Sequence, residues 1–292
     1  MQASEARRAV AAARSTASAL GLTVDDVAVL RDSNRLVLRL MPCDLVARVA
    51  PMALRTSADF EVELARRFAE SGSPVAALDP RVEPRVYVRD GFVMNLWTYY
   101  EPLPSRQVPP ADYAHALERL HAGLLQLDIP TPHFTARVEE AQQLVADRDR
   151  TPALADADRE LLGDTLRSLR RAIGDRDGNE RPLHGEPHPG NVLNTNDGPL
   201  FIDLETCCRG PVEFDIAHVP DEVSEHYPDT DLKLLRDCRM LVLAMVAAWR
   251  WDRDDHYPDG RRAGGELLSA LRDGPPWPTL DRLGRRRGDS RA

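Results

Sequence analysis

Lysine is all but missing from this chain: Lys233 is the only one, and every other side-chain ammonium or guanidinium is arginine. Chemistry that needs a pocket lysine elsewhere must therefore run on a guanidinium. Cysteine is scarce as well, with four residues (Cys43, Cys207, Cys208, Cys238) and no CxxC pair. That spacing argues against a disulfide scaffold and makes a reducing, cytoplasmic compartment the expectation. Net positive charge is lacking: at −9 the chain has no basic footprint of the kind nucleic-acid phosphates require. The longest apolar run, Met240–Trp249, is far too short to span a bilayer. Residues 1–20 hold no apolar block of the length a secretory signal needs, so none is expected. Arg285-Arg286-Arg287 is expected to be a solvated tail.

What is present is an ordinary globular composition, 42% apolar and 29% charged over 292 residues, with length for two lobes. An alanine-rich helix is expected over 4–20, with Ser4 as a possible cap and Gly21 at its end. Strands are expected at 35–40 and 44–50, then a helix at 58–71 that Ser57 could cap. Asp90-Gly91 between two β-branched and aromatic runs predicts a hairpin. The proline-rich stretch 101–110 supports neither helix nor ladder and marks a boundary. Beyond it helices are expected at 111–127, 137–149, 156–173, 213–225 and 230–251, with one hairpin turning at Asn196-Asp197-Gly198.

The chemistry concentrates in His184-Gly185-Glu186-Pro187-His188-Pro189-Gly190-Asn191, followed by Phe201-Ile202-Asp203. Prolines on both sides of His188 forbid a regular helix, so this is a loop. A zincin, whose two histidines must share a helical face, is thereby excluded. A zinc deaminase also fails, because it needs a downstream P-C-x-x-C and Cys207-Cys208 are adjacent. What remains is a carboxylate, an amide, and a second carboxylate that a short hairpin returns toward the amide. Phosphoryl transfer uses that set: one group takes the hydroxyl proton, and two hard oxygens hold magnesium.

These residues, with Ile202-Asp203-Leu204-Glu205 and Gly210-Pro211-Val212-Glu213-Phe214-Asp215-Ile216-Ala217, resemble the aminoglycoside phosphotransferase family, relatives of choline and homoserine kinases. The resemblance implies an α+β, bilobal, protein-kinase-like fold: a nucleotide-binding lobe of small mixed sheet plus helix over 1–100, and a larger, mostly helical lobe over 101–292. It implies ATP or GTP as co-substrate with Mg2+, and a hydroxyl-bearing small-molecule acceptor, with no nucleic-acid or membrane partner. It makes Glu186 the catalytic base, where the family has aspartate, and Asn191 and Asp203 the magnesium ligands. Asp215, His184 and His188 would support the loop.

Arg48 stands where a kinase strand carries its phosphate-binding lysine. Its helix partner is expected to be Glu61, which shares a stripe with Leu64 and Phe68, whereas Glu63 points away. Ser33 and Asn34 would cover the nucleotide in a loop without glycine, and Leu96–Tyr99, with Trp97 and Tyr99, would form the hinge whose backbone groups meet the purine. Seven acids and no Lys or Arg between Val212 and Leu232 suggest a cationic acceptor such as an amino sugar, with Glu205, Asp221, Glu222 and Glu225 as candidate contacts. The alternatives are a nucleotide-binding pseudoenzyme acting as sensor or scaffold, and nucleotide-independent sequestration.

Overall fold

The computed structural model describes residues 1, 3–33, 35–105, 107–176 and 180–282, so Asn34 and Arg285–Arg287 lie outside the described residues. The chain divides into two units, Met1–Arg106 with Leu193–Glu205, and Gln107–Val192 with Thr206–Ala292.

In the first unit, α1 (Ala3–Ala19) buries Ala9, Ala12, Ala13 and Ala17, a three-four spacing that makes one narrow apolar stripe. That stripe joins a core with Leu36, Leu38, Leu40 and Met94. These come from an antiparallel sheet of β1 (Val24–Asp32), β2 (Leu36–Pro42), β3 (Leu45–Pro51), β4 (Tyr87–Arg89) and β5 (Phe92–Thr98), in the order β1-β2-β3-β5-β4. The Asp90-Gly91 hairpin forms as expected. β1 was not expected: its residues are largely exposed and its pairing with β2 shifts register twice, so no clean alternation marks it. α2 (Arg55–Phe68) starts ahead of Ser57, with Leu54 at its N-cap and no side-chain cap. The Ser57 hydroxyl serves elsewhere, which corrects the capping expectation.

The second unit begins with α3 (Pro110–Leu124), α4 (Phe134–Ala146), α5 (Asp156–Gly174) and β6 (Arg181–Leu183). The hairpin β7 (Val192–Thr195) and β8 (Gly198–Phe201) follows, and its residues from Leu193 onward group with the first unit. There the Phe201 N–H donates to Pro74 at 2.8 Å and the Ala76 N–H donates to Phe201 at 2.9 Å.

Next come β9 (Cys208–Gly210), which pairs antiparallel with β6, then α6 (Val212–Ile216), α7 (Asp221–Ser224), α8 (Leu232–Arg250) and α9 (Gly260–Asp273). The single helix expected over 213–225 is two, because Pro220 interrupts it. α9 was not expected, since Gly260, Gly264 and Gly265 weaken its helical signal. Its stripe of Ala263, Leu267, Leu268 and Leu271 is buried all the same. No helix among the described residues is long and apolar enough to cross a membrane.

Candidate active site

In the first unit the β3–β5 register sets Arg48 opposite Asn95. Glu61 comes from α2's buried stripe and is 0% exposed. Arg48 ion-pairs with Glu61 through Nη1, while its Nη2 donates to Asp203 Oδ1 at 2.6 Å. Asn95 Nδ2 donates to the other Glu61 oxygen at 2.9 Å, and Trp97 Nε1 donates to Asn95 Oδ1 at 3.0 Å. Both oxygens of Glu61 are therefore bonded, which is the condition under which a buried carboxylate is tolerated. Burial pulls the Arg48 pKa down, but Glu61 and Asp203 more than offset it, so the guanidinium stays charged. Asp203 sits at φ +69°, a left-handed conformation that aspartate tolerates better than most residues.

A second guanidinium closes a parallel circuit. Arg35 ion-pairs with Glu205 and donates to Ser57 Oγ at 2.6 Å, and Ser57 donates to Glu205 Oε2 at 2.5 Å. Burial holds the Arg35 pKa below its usual value. Glu205 thus has protein partners, Arg35 and Ser57. Of the loop before Arg35, the Ser33 N–H donates to the Arg35 carbonyl at 3.1 Å. The Trp97 side chain is buried in the Glu61 network, and the Tyr99 ring lies 3.7 Å from the Arg39 guanidinium. Neither ring is an open stacking platform, and the hinge expected of this segment uses its backbone rather than either ring.

In the second unit the 184–191 loop is pinned at several points. Gly185 has φ +88°, and a Cβ there would sit 2.0 Å from the Thr206 carbonyl oxygen, so only glycine fits. Asp215, at the end of α6, accepts the N–H groups of His184 and Gly185, each at 2.8 Å. His121 on α3 bonds Asp215 Oδ2 at 2.8 Å through Nε2 and the Tyr227 hydroxyl at 2.7 Å through Nδ1. Burial pushes the Asp215 pKa up, but His121 and the histidines at 184 and 218 outweigh it and leave it lowered. His188 Nδ1 accepts the Gly190 N–H at 3.0 Å, and the Tyr113 hydroxyl donates to the Pro187 carbonyl at 2.5 Å.

Glu186 meets Arg137 of α4 in an ion pair. Burial raises the Glu186 pKa, yet Arg137, with His218 and His188, leaves it below the ordinary value. His218 is itself buried, and burial drives its pKa down to about 4.

Asn191 is the direct test of a metal. Its Nδ2 donates to the Glu186 carbonyl at 3.1 Å, which turns Oδ1 outward from that bond. Oδ1 is buried and has no hydrogen-bond partner among the described residues. A buried acceptor left without a donor is costly unless something fills it, and an oxygen-seeking cation suits it. No three His, Cys, Asp or Glu side chains among the described residues are placed to hold a metal, so the amide matters to the fit.

The acidic stretch after the loop is less open than its sequence suggests. Asp221 pairs with Arg239 at 2.7 Å and Glu222 with Arg282 at 3.1 Å. Glu213 Oε1 accepts the Asp231 N–H, and Asp231 caps α8. Arginines pair with three of the seven acids, Asp221, Glu222 and, through Arg176 at 3.5 Å, Asp231; of the candidate contacts, Glu222 and Glu225 are exposed.

Sequence reasoning missed Arg137, Arg35, Asn95 and the His121–Tyr227 pair. His121 had a signal: it lies on α3's otherwise apolar buried face with Leu117, Leu120 and Leu124. Arg137 had none, being one arginine among many.

Residues 19–258 match the phosphotransferase enzyme family. No curated protein sequence gives a significant match. Among solved structures, amicoumacin kinase hAmiN in complex with AMP-PNP, Ca2+ and Ami superposes with a TM-score of 0.72 at 14% identity, covering 95% of this chain and 98% of that one. Choline kinase LicA from Streptococcus pneumoniae gives 0.65 at 14% identity, with 89% and 96% covered. The GDP and kanamycin complex of APH(2")-IIia gives 0.65 at 15% identity, with 86% and 94% covered. At these identities the likeness is one of fold.

Proposed function

The chain belongs to the phosphotransferase enzyme family, and from that premise we propose that it moves the γ-phosphoryl group of ATP or GTP to a hydroxyl of a small molecule. The acceptor oxygen attacks phosphorus, its proton passes to the Glu186 carboxylate, and the bond to the nucleoside diphosphate breaks with its electron pair on the leaving oxygen. Asn191 and Asp203 would hold magnesium, which when bound neutralises charge on the phosphates. Arg48 supplies a permanent cation for phosphate oxygens, Glu61 fixes it, and Asp215 holds the backbone of the loop that carries Glu186. The transition state is loose, so placement and charge carry most of the rate. The observation that carries this reading is the buried, unpartnered Oδ1 of Asn191.

The similar structures are named for amicoumacin, choline and kanamycin, and the acceptor panel is drawn accordingly: aminoglycosides, amino alcohols, peptide-like antibiotics and nucleosides, each with magnesium and ATP or GTP. Nucleoside diphosphate release with at least one acceptor is expected, and Asp203→Ala is expected to abolish it. No release with any acceptor would remove the proposal.

One observation favours a second reading, a nucleotide-binding protein without transfer: both functional acids, Asp203 and Glu186, are held by arginines. It predicts magnesium-dependent nucleotide binding by thermal shift with no nucleoside diphosphate released.

A further inference from the structure

Glutamate at 186 is one methylene longer than the family's aspartate, and the loop around it leaves its backbone no latitude. The Glu186 N–H donates to His184 Nδ1 at 3.3 Å, its carbonyl accepts from Asn191, and the next carbonyl accepts from Tyr113. Only the side chain can span to α4. There Arg137 Nη2 donates to Glu186 Oε1, and the guanidinium lies 5.0 Å from the ring centroid of Trp249 on α8. Both contacts fall on the guanidinium, whose Nη1 is buried without a hydrogen-bond partner among the described residues; the Arg137 side chain is 18% exposed and that of Glu186 is 21% exposed. An aspartate at 186 would withdraw the carboxylate by about 1.5 Å, one carbon–carbon bond, and break the pair. The ion pair uses Oε1 alone; among the described residues Oε2 receives no hydrogen bond. One oxygen is fixed and the other remains to take a proton.

We propose that Arg137 is a positioning residue that sets the Glu186 carboxylate for proton acceptance, so that Arg137 and the longer acid are a matched replacement for the usual aspartate. This rests on the phosphotransferase reading of Glu186. The other groups around the carboxylate, His218 after α6 and His188 in the loop, are histidines; Arg137 alone brings a permanent charge and a fork.

The test compares wild type, Arg137→Met, Arg137→Lys and Glu186→Asp, and the double variant Arg137→Met with Glu186→Asp. Nucleoside diphosphate release is followed with magnesium, nucleotide and acceptor, and nucleotide affinity is measured by calorimetry. Arg137→Met is expected to lower kcat on the order of a hundredfold, the size of a misplacement of about 1 Å. Nucleotide affinity should stay within about twofold, a split that general unfolding does not produce. Arg137→Lys should recover part of the loss. Glu186→Asp should lose activity, and adding Arg137→Met to it should cost little more.

Unchanged or higher kcat in Arg137→Met, a gain in Glu186→Asp, or losses that simply multiply in the double variant would each overturn the inference. Should Arg137→Met fail to fold, Arg137→Lys serves alone: reduced kcat at unchanged affinity supports the inference, and wild-type kcat overturns it. A wild type that binds nucleotide yet never releases nucleoside diphosphate defeats the phosphotransferase reading itself, which is a different outcome from an active wild type indifferent to residue 137.

Discussion

Two arginine–carboxylate clusters, one in each unit, answer the same electrostatic problem differently. In the first unit Arg48 and Arg35 serve Glu61, Asp203 and Glu205, with Asn95, Trp97 and Ser57 supplying the remaining hydrogen bonds. Glu61 is 0% exposed, so all of its hydrogen bonding must come from these partners. In the second unit Arg137 faces Glu186, and that carboxylate keeps a fifth of its side-chain surface open. The first arrangement buries its innermost acid, Glu61, completely, while Asp203 and Glu205 at its edge are as open as Glu186. The second is a tether on a group that still meets solvent. Arginine for lysine is therefore not a neutral exchange here: a forked guanidinium reaches two carboxylates where an ammonium presents a point charge.

The contrast can be broken at Arg48. Arg48→Met strands a fully buried carboxylate, and removing one partner of such a pair costs about 3–5 kcal/mol. A fall of that size in unfolding free energy by urea titration is expected, together with loss of nucleotide binding. Arg137→Met should cost markedly less stability, because Glu186 can turn to water. Equal losses from the two variants would show that the clusters are energetically alike and that the distinction is false.

His218 sharpens the comparison from the second unit. It sits close to both Glu186 and Asp215, yet burial dominates and moves its pKa from 6.5 to about 4. The folded protein thus refuses a proton that the unfolded chain accepts. Stability from this group is intact above about 6.5 and falls as pH drops toward about 4, by roughly 3 kcal/mol in full. His218→Gln should flatten the dependence of the thermal midpoint on pH across that window. A variant with the same slope as wild type would assign the acid sensitivity to other groups.

The same two clusters show what the sequence could reveal. Glu61 was legible because helical periodicity places it with Leu64 and Phe68, and the strand carrying Arg48 was legible from its alternation. The hairpin at Asp90-Gly91 was legible from turn chemistry. Ser57 was misread as a cap because its partner, Glu205, lies 148 positions away. Arg137 lies 49 positions from Glu186, on a helix whose periodicity says only which side is buried. Local rules find elements and faces, but a pairing between distant charges requires the fold. The arginines that pair with Asp221 and Glu222 went unseen for that reason.

The smallest expected effect concerns how far the bracing of the catalytic loop extends. Asp215 is complete without Tyr227, since it takes two backbone N–H groups and His121. Tyr227 completes only His121, through Nδ1 at 2.7 Å. Tyr227→Phe keeps the ring and leaves that buried nitrogen unpaired, at a cost of about 1–2 kcal/mol. The ring of His121 is still held by Asp215, so the loop should stay in place and turnover should change less than about threefold. Both measurements are needed: a stability loss with turnover preserved marks Tyr227 as an outer brace of the fold. A turnover loss comparable to that of Glu186→Asp would instead mean that Asp215 depends on the His121 orientation, and that the tethered cluster is as tightly interlocked as the buried one around Glu61.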